Sequence, residues 1–256
     1  MEILACVKRV PMVGGKVVVT ADGQDVDTRM SGFTVSPHEE CAVEEAVQLT
    51  EREGGTVTVL TLGPAQAAGQ LRDMLALGAR RAVLLQTDGR EWGPMATADA
   101  IAADVSGRAA VGEPPFDLLL FGNEAADTGG YQVAIRVAHL LGLPVATGIK
   151  QLTRTASGIQ AGREYRGTQE TYELPLPAVV TVKEGINLPR YPSLPGRLRA
   201  KRAAIDIREP QWQEDRLRKG GLRVPQQSRK RAQILGSGVE AVPALVALLQ
   251  ELGVLS

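Results

Sequence analysis

The sequence contains few cysteines, histidines and aromatic residues, and each shortage excludes a class of functional site. Cys6 and Cys41 are the only cysteines among 256 residues, which excludes a disulfide framework and a cysteine-based zinc site. His38 and His139 are the only histidines, so a metal centre built from several histidines is also excluded. Aromatic residues make up 4% of the chain, too few to stack successive nucleic-acid bases.

A charge excess and long apolar runs are lacking as well. The 29 lysine and arginine residues balance the 29 aspartate and glutamate residues, whereas a nucleic-acid-binding protein normally carries a basic excess. No stretch reaches the roughly 18 continuous apolar residues of a membrane-spanning helix, and the first residues lack the basic segment of a signal peptide. We therefore expect a cytoplasmic protein that binds no nucleic acid and does not insert into a membrane.

Residues 1–144 alternate short apolar runs with amphipathic patterns, which is typical of a parallel sheet covered by helices on both faces. A helix is expected to begin after Ser36, with Pro37 in its first turn and Glu39 as the partner in a capping box. The sequence thus predicts an α/β fold with a doubly wound, mostly parallel, Rossmann-like sheet. Strands are predicted at residues 3–7, 56–62, 81–86 and 117–121, and helices at residues 37–53, 65–77, 95–105 and 131–141. Within the first helix, Glu44, Glu45 and Glu51 are expected to face solvent.

The second half of the chain changes to short strands and a basic segment rich in proline. Three prolines within residues 189–195 exclude a helix interior or a central strand, so residues 184–204 are expected to be extended and exposed. The strands are expected to extend or flank the sheet in antiparallel fashion. They are predicted at residues 149–155, 159–165, 171–174 and 178–182.

The last part of the chain is expected to lie outside the main domain. Residues 208–231 are polar and poorly periodic, whereas residues 240–252 show a helical apolar stripe. We therefore predict an α/β domain over residues 1–207 and, over residues 208–256, an arm and a helix. The apolar side of that helix needs cover from another chain.

The loops at the carboxyl ends of the strands are the candidate ligand sites, because doubly wound sheets bind ligands there. Among the loops at residues 6–9, 62–64 and 122–132, the last is the most informative. Gly129 and Gly130 permit close backbone approach, and a helix N-terminus, which binds phosphate readily, is expected directly after them. A loop that only caps its helix would explain the same residues.

The other candidate motifs do not predict a dinucleotide-binding unit or a catalytic site. Residues 236–241 fit a loose G-x-G-x-x-A pattern, but too little chain follows for a dinucleotide-binding unit. Cys6 is expected in the core and His38 at the surface or at a ligand rim, so no nucleophile–base pair and no catalytic residue is predicted. This favours a binding or carrier protein over a hydrolase. The basic segment around Leu194 favours docking to an acidic protein over binding to nucleic acid.

Several motifs, in the same order along the chain, resemble those of one protein family. They lie at residues 7–11, 36–39, 41–46, 62–64, 121–127, 163–164, 170–171, 176–181 and 187–195. The ordered set resembles the β subunit of electron transfer flavoproteins over nearly the whole length. The resemblance implies an adenine-nucleotide-binding fold in a heterodimer with an α subunit. It also implies a redox FAD shared with that subunit and an AMP, or a second FAD in bifurcating members, bound by this chain.

The resemblance also implies which residues would take part. Glu164 would lie near the flavin at the subunit interface, and Leu194 would insert into a pocket of a dehydrogenase. Positive charge near Leu194, from Arg190, Arg197, Arg199 and Lys201, would steer the encounter. The nucleotide would contact Cys6, Ser36, Pro37, His38, Glu39, Gly63, Gly122, Asn123, Ala125, Asp127, Thr128, Gly129, Gly130, Tyr131, Gln132 and Val133.

Three functional hypotheses remain open from the sequence. The first is an electron carrier from acyl-CoA and related dehydrogenases to a membrane quinone oxidoreductase. The second is a subunit of a bifurcating flavoprotein that oxidises NADH with a second FAD. The third is a standalone adenine-nucleotide-binding protein. Residues 128–134 are intermediate between the loops of the first two types, so AMP and FAD both remain candidates.

Overall fold

The computed structural model describes residues 1–12, 14, 17–88, 90, 92–225 and 232–255. The strands are β1 (Glu2–Cys6), β2 (Val10–Pro11), β3 (Phe33–Thr34), β4 (Thr56–Gly63), β5 (Arg81–Gln86), β6 (Leu118–Gly122), β7 (Val145–Ile149), β8 (Gln151–Arg154), β9 (Ile159–Tyr165), β10 (Thr168–Leu174), β11 (Ala178–Val182) and β12 (Asp206–Arg208). The helices are α1 (Pro37–Glu53), α2 (Ala68–Leu77), α3 (Pro94–Gly107), α4 (Val133–Leu141), α5 (Leu194–Arg202) and α6 (Val242–Glu251).

The main sheet of the described residues has seven strands in the order β12-β5-β4-β1-β6-β11-β7. All neighbouring strands in it run parallel. From β1 the chain builds outward through β4 to β5 and then returns to place β6 on the other side of β1. The switch point of the sheet therefore lies between the carboxyl ends of β1 and β6.

Alternate residues of the strands fill two separate cores, one on each face of the sheet. Ile3 and Ala5 of β1 lie with α1 and α2 in the first core. Leu4 and Cys6 of the same strand lie with α3 and α4 in the second. Because side chains alternate across a strand, such a sheet needs apolar residues at nearly every position. The predicted doubly wound fold is confirmed.

The strands of the second half differ from the expected antiparallel flank. Only β8, β9 and β10 form a separate antiparallel sheet, whereas β7 and β11 are parallel members of the main sheet. The predicted strand at residues 149–155 is in fact the end of β7 followed by β8, with Lys150 between them. Leu152 and Ile159 bury this small sheet against the first core. The direction of β11 follows from long-range pairing with β6, which local pattern does not encode.

The basic segment is only partly extended, so the prediction for residues 184–204 is wrong in its second half. Ser193 caps α5, and its hydroxyl accepts a hydrogen bond from the N–H of Gly196 at 3.1 Å. Pro195 lies in the first turn of α5, where a proline is tolerated because no intrahelical N–H bond is lost there. Arg197, Arg199 and Lys201 are therefore helical residues.

The outer face of α1 also differs from the prediction. Glu44 and Glu45 are buried rather than facing solvent, with 2% and 5% of their surface exposed. The segment before α5 covers them, since Asn187 and Arg190 hydrogen-bond their carboxylates. Glu51 is exposed, as predicted.

Part of the described chain after α5 still contacts the main sheet and helix α3. β12 pairs with β5 at the edge of the sheet, and the Asp215 carboxylate accepts a hydrogen bond from Met95 N at 2.9 Å at the start of α3. The predicted terminal helix is confirmed as α6, and none of its residues is buried. The division at residue 207 stays a prediction. None of the helices in the described ranges is long and apolar enough to cross a bilayer.

Candidate functional site

The carboxyl ends of β1 and β6 and the start of α1 meet at the switch point. Cys6 pairs with Phe121 at the ends of the two strands, and Gly122 follows. Gly122 packs so closely on α1 that a Cβ added to this glycine would lie 2.5 Å from Glu39 Cγ. We call residues 122–133 the switch loop, and the space between this loop, residues 6–8 and residues 36–39 the switch crevice.

The first residue of the switch loop after Gly122 is fixed to β11. Asn123 N donates to Val182 O at 2.8 Å, and the Thr181 hydroxyl donates to Asn123 Oδ1 at 2.8 Å. Thr181 in turn accepts a hydrogen bond from Gly148 N at 2.9 Å. The loop is therefore anchored across three adjacent strands before it turns toward the crevice.

Lys8 lies in the candidate loop predicted at residues 6–9, but it was not among the residues expected to contact the nucleotide. Its ammonium group lies 2.8 Å from Asp127 Oδ2 and 2.9 Å from Asp127 Oδ1, which bridges the loops after β1 and β6. The signal was present, because Lys8 follows a buried strand at its carboxyl end in the same way as the predicted residues. Thr128 N also donates to Asp127 Oδ1, at 2.8 Å.

Helix α4 begins at Val133, two residues later than the predicted start at residue 131. Tyr131 has a φ of 53°, a left-handed conformation that only a few per cent of non-glycine residues adopt. Its hydrogen bond to Glu124 raises the pKa of the phenol. Residues in strained backbone cluster at ligand sites, and Tyr131 directly precedes the N-cap residue of α4.

The N-terminus of α4 has the features of a phosphate site. The N-cap residue Gln132 makes no side-chain cap, because its amide oxygen accepts from Arg136 at 2.9 Å instead. The first-turn N–H groups of a helix have no intrahelical partner and carry the positive end of its dipole. A Cβ on Gly129 or Gly130 would meet nothing closer than 3.9 Å, so the backbone there is open. The residues present therefore fit the phosphate of an adenine nucleotide.

His38 lies at the start of α1, beside Glu124 of the switch loop. Its Nε2 lies 3.7 Å from Glu124 Oε1, while Nδ1 is buried and has no hydrogen-bond partner. Ser36 Oγ donates to Glu124 O at 3.4 Å and so holds the start of α1 against the switch loop. Buried polar atoms are nearly always paired, so His38 Nδ1 is an exception among the described residues.

Glu39 lies beneath the crevice, and its carboxylate serves the structure of the site. Glu39 Oε2 accepts the N–H of Lys8 at 2.9 Å and, in the capping box, the N–H of Ser36 at 3.4 Å. Burial raises the pKa of Glu39 to about 8, although these hydrogen bonds favour the charged form. The folded chain therefore keeps a proton on Glu39 over much of the neutral range.

The pKa of Glu39 predicts that stability falls as the pH rises. A glutamate in an unfolded chain titrates near pH 4.3, whereas the folded chain keeps this proton up to about pH 8. Between these values the unfolded state binds fewer protons, so the free energy of unfolding should fall by up to about 1.4 kcal/mol per pH unit. Urea unfolding of the purified complex at several pH values measures this slope. Glu39→Gln should flatten it, and the exposed control Glu53→Gln should not; an unchanged slope in Glu39→Gln would contradict the assignment.

Three other predicted residues lie at the edge of the crevice or away from it. Cys6 offers only its main chain, because its side chain lies in the second core and burial raises the pKa of the thiol. Gly63 ends β4, the next strand along the same edge. Glu164 is exposed on β9 in the antiparallel sheet, opposite Gln169. Ligand contacts by these residues stay predictions.

Two cavities among the described residues lie elsewhere. One of about 590 Å³ is lined by α5 and the residue after it, and one of about 810 Å³ is lined by residues 11, 12 and 14 and by residues between 17 and 32. Neither is lined by the switch loop. The switch crevice is the better candidate for a nucleotide site, because a helix N-terminus and the switch point of the sheet coincide there.

Comparison with known proteins agrees with this geometry. The profile of the electron transfer flavoprotein domain matches residues 26–211. The chain is 36% identical to the electron transfer flavoprotein subunit beta of Bacillus subtilis (strain 168) over 207 residues, which are 80% of this chain and 78% of that protein. It is 37% identical to the mitochondrial electron transfer flavoprotein subunit beta of Oryza sativa subsp. indica over 209 residues, 80% of each chain. The resemblance found in the sequence motifs is thereby confirmed, and the chain belongs to the electron transfer flavoprotein family.

Proposed function

We propose that the chain is the β subunit of a heterodimeric flavoprotein that accepts electrons from acyl-CoA and related dehydrogenases and passes them to a quinone reductase. The main observation that supports this proposal concerns the N-terminus of α4. It has no side-chain cap, it follows Gly129 and Gly130, and it lies at the switch point of the sheet. Family membership supports the electron-transfer role. The donor and acceptor classes follow from the resemblance of residues 187–195 to the family's recognition loop.

The cofactors of this proposal are an AMP in the switch crevice and an FAD shared with the α subunit. Bound FAD would supply the redox chemistry, which no protein side chain provides. The chain's own groups would bind the nucleotide: the N–H groups at the start of α4 would hold its phosphate, and Asp127 would accept hydrogen bonds from sugar hydroxyls.

Helix α6 provides the surface for the α subunit. Its apolar side chains are exposed, including Val242, Leu245 and Val246. Val254 and Leu255, just beyond the helix, extend this apolar surface. Contiguous exposed apolar surface of this kind is typical of an interface with another protein. If the chain is a stable monomer when purified alone, the proposal is disfavoured. A stable heterodimer with the α subunit would favour it.

A second candidate is a bifurcating flavoprotein subunit that binds a second FAD in the crevice and takes part in NADH oxidation. The sequence of residues 128–134, intermediate between the loops of the two types, keeps this candidate open. The two candidates differ in the nucleotides that the heterodimer releases and in whether NADH reduces it.

Asp127→Ala is expected to reduce nucleotide occupancy. Loss of a hydrogen bond from a charged group costs about 1.5–3 kcal/mol, which weakens nucleotide binding by about 10- to 100-fold. The melting temperature should fall as well, since a ligand that binds only the folded state stabilises it. Nucleotide released from the denatured complex is measured by chromatography.

The control for this variant is Asp88→Ala, which breaks a comparable exposed ion pair, with Arg90 at 2.8 Å. Exposed ion pairs contribute about 0–1 kcal/mol, so this control should keep its nucleotide and nearly all of its stability. Full nucleotide retention in Asp127→Ala would contradict the role of the switch loop.

A further inference from the structure

Arg190 joins the segment before α5 to helix α1 through two carboxylates. Its Nε lies 3.0 Å from Glu44 Oε2, and its Nη2 lies 3.0 Å from Glu44 Oε1. Its Nη1 lies 2.7 Å from Glu51 Oε1, and Nη2 also lies 2.9 Å from Glu51 Oε2. The backbone N–H of Arg190 donates to Glu44 as well, at 3.2 Å. One guanidinium therefore bridges two glutamates that lie about two turns apart on α1.

Glu44, the inner partner of this bridge, is shielded from solvent. Water therefore cannot replace the hydrogen bonds that Arg190 donates to it. The Glu44 side chain is 2% exposed, and it also accepts a hydrogen bond from Gln48 Nε2 at 2.7 Å. Burial by itself would raise the pKa of Glu44, but the hydrogen bonds from Arg190 and Gln48 outweigh burial and lower it. A buried carboxylate that loses its counter-ion is strongly destabilised, so the bridge is firmly held.

Two further contacts fix the same segment on either side of Arg190. The Asn187 amide donates to Cys41 O and to Glu45 Oε2, both at 3.0 Å. At the other end, Ser193 caps α5. We call residues 187–193 the docking segment. Its backbone is thus tied down at the start, the middle and the end.

Between these fixed points the docking segment exposes large apolar side chains. Leu188 is 90% exposed and Tyr191 is 94% exposed, and Leu194 at the start of α5 is 72% exposed. Apolar residues held outward on a rigid backbone bind a partner with less loss of conformational entropy than residues on a mobile loop.

We propose that Arg190 is a positioning residue that presents Leu188, Tyr191 and Leu194 in one fixed arrangement to an apolar pocket on the electron donor. This role differs from the electrostatic steering expected from the sequence, because the guanidinium is already neutralised by Glu44 and Glu51. The inference rests on the proposed function for the identity of the partner. The rigidity of the segment does not depend on it.

Arg190→Lys separates the two roles, because lysine keeps the charge but lacks the planar fork that bridges two carboxylates. If Arg190 acts by position, Arg190→Lys and Arg190→Ala should both raise the hydrogen-exchange rate of the backbone amide at residue 190, whose N–H donates to Glu44, by about 10-fold or more in the purified heterodimer. Both should also raise KM for a dehydrogenase donor by about 10-fold and leave kcat and flavin content within about twofold.

Two more variants complete the test. Arg52→Lys is the matched control, since Arg52 also pairs with a buried glutamate of α1, Glu45 at 3.5 Å, and should change neither measurement. Glu51→Ala removes the exposed half of the bridge without leaving a buried charge unpaired, so it should fold even if Arg190→Ala does not, and should show an intermediate increase in exchange. Wild-type exchange rates in Arg190→Lys and Glu51→Ala would overturn the inference. If no dehydrogenase reduces the wild-type heterodimer, the proposed function fails, and the exchange rates still decide the role of Arg190.

Discussion

Gly122→Ala is expected to destabilise the chain by about 1–3 kcal/mol and to release the adenine nucleotide that we propose for the switch crevice. The added Cβ would lie 2.5 Å from Glu39 Cγ, 3.1 Å from Glu39 N and 3.3 Å from His38 Cβ. Glu39 is buried and accepts hydrogen bonds from two backbone N–H groups, so its side chain cannot turn away without losing them. The switch loop would therefore be pushed off the start of α1, and the crevice between them would change shape.

Thermal unfolding and nucleotide content of the purified complex measure both effects, at about 2–4 °C per kcal/mol for a chain of this size. Gly107→Ala is the matched control. Gly107 is the last residue of α3, nothing lies within 4 Å of the position its new Cβ would take, and alanine favours a helix over glycine. The control should be neutral or slightly stabilising. A Gly122→Ala chain with the melting temperature and nucleotide content of the wild type would show that the switch loop does not depend on close packing against α1.

Leu194→Ala is expected to lower kcat/KM for a dehydrogenase donor by about 30-fold, the effect of losing an interface anchor worth about 2 kcal/mol. Leu194 is 72% exposed, so its removal should leave the melting temperature and the flavin content unchanged. Reduction of the heterodimer by an acyl-CoA dehydrogenase, followed through flavin absorbance, gives the rate.

The control for Leu194 is Val111→Ala, which shortens another exposed apolar residue, 69% exposed, in the 3-10 helix after α3. This control should keep the wild-type rate. If Leu194→Ala is reduced at the wild-type rate by several dehydrogenases, the anchor role is wrong. A parallel loss of flavin would instead place Leu194 in the structure of the cofactor site.

The main sheet could be predicted because its local sequence is unambiguous. Residues 57–60 and 118–121 are almost wholly apolar, and both lie buried in the centre of the sheet. The helix starts were equally clear where capping residues act locally, as at Ser36 and Pro37. These features depend on residues that are close together in the chain, so they can be predicted from the sequence alone.

Features that depend on distant contacts could not be predicted. Glu44 occupies an outward position by helical periodicity, and only Arg190, 146 residues further on, makes it a buried residue. The direction of β11 likewise depends on its pairing with β6. The start of α5 was missed for a local reason: the prolines exclude a helix interior, but Pro195 lies in the first turn, where that rule does not apply.

The candidate site also combines features that could be predicted from the sequence with features that depend on distant contacts. The rule that ligands bind at strand ends identified residues 122–132, and the resemblance to the family added the start of α1. The structure brings these two segments together at Gly122. The same rule included Lys8, at residues 6–9, but its ion pair with Asp127 depends on how the two loops fold together. The strained backbone of Tyr131 and the unpaired Nδ1 of His38 could not be foreseen, since both arise only when the loop is folded against its neighbours.

The nucleotide content of the heterodimer decides whether the switch crevice holds an adenine nucleotide. The chain is co-purified with its α subunit and denatured, and the released nucleotides are separated and quantified. We expect one FAD and one AMP for each pair of subunits, with the AMP lost in Asp127→Ala while the FAD is retained. A heterodimer that releases FAD but no second adenine nucleotide would show that the switch crevice is not a nucleotide site.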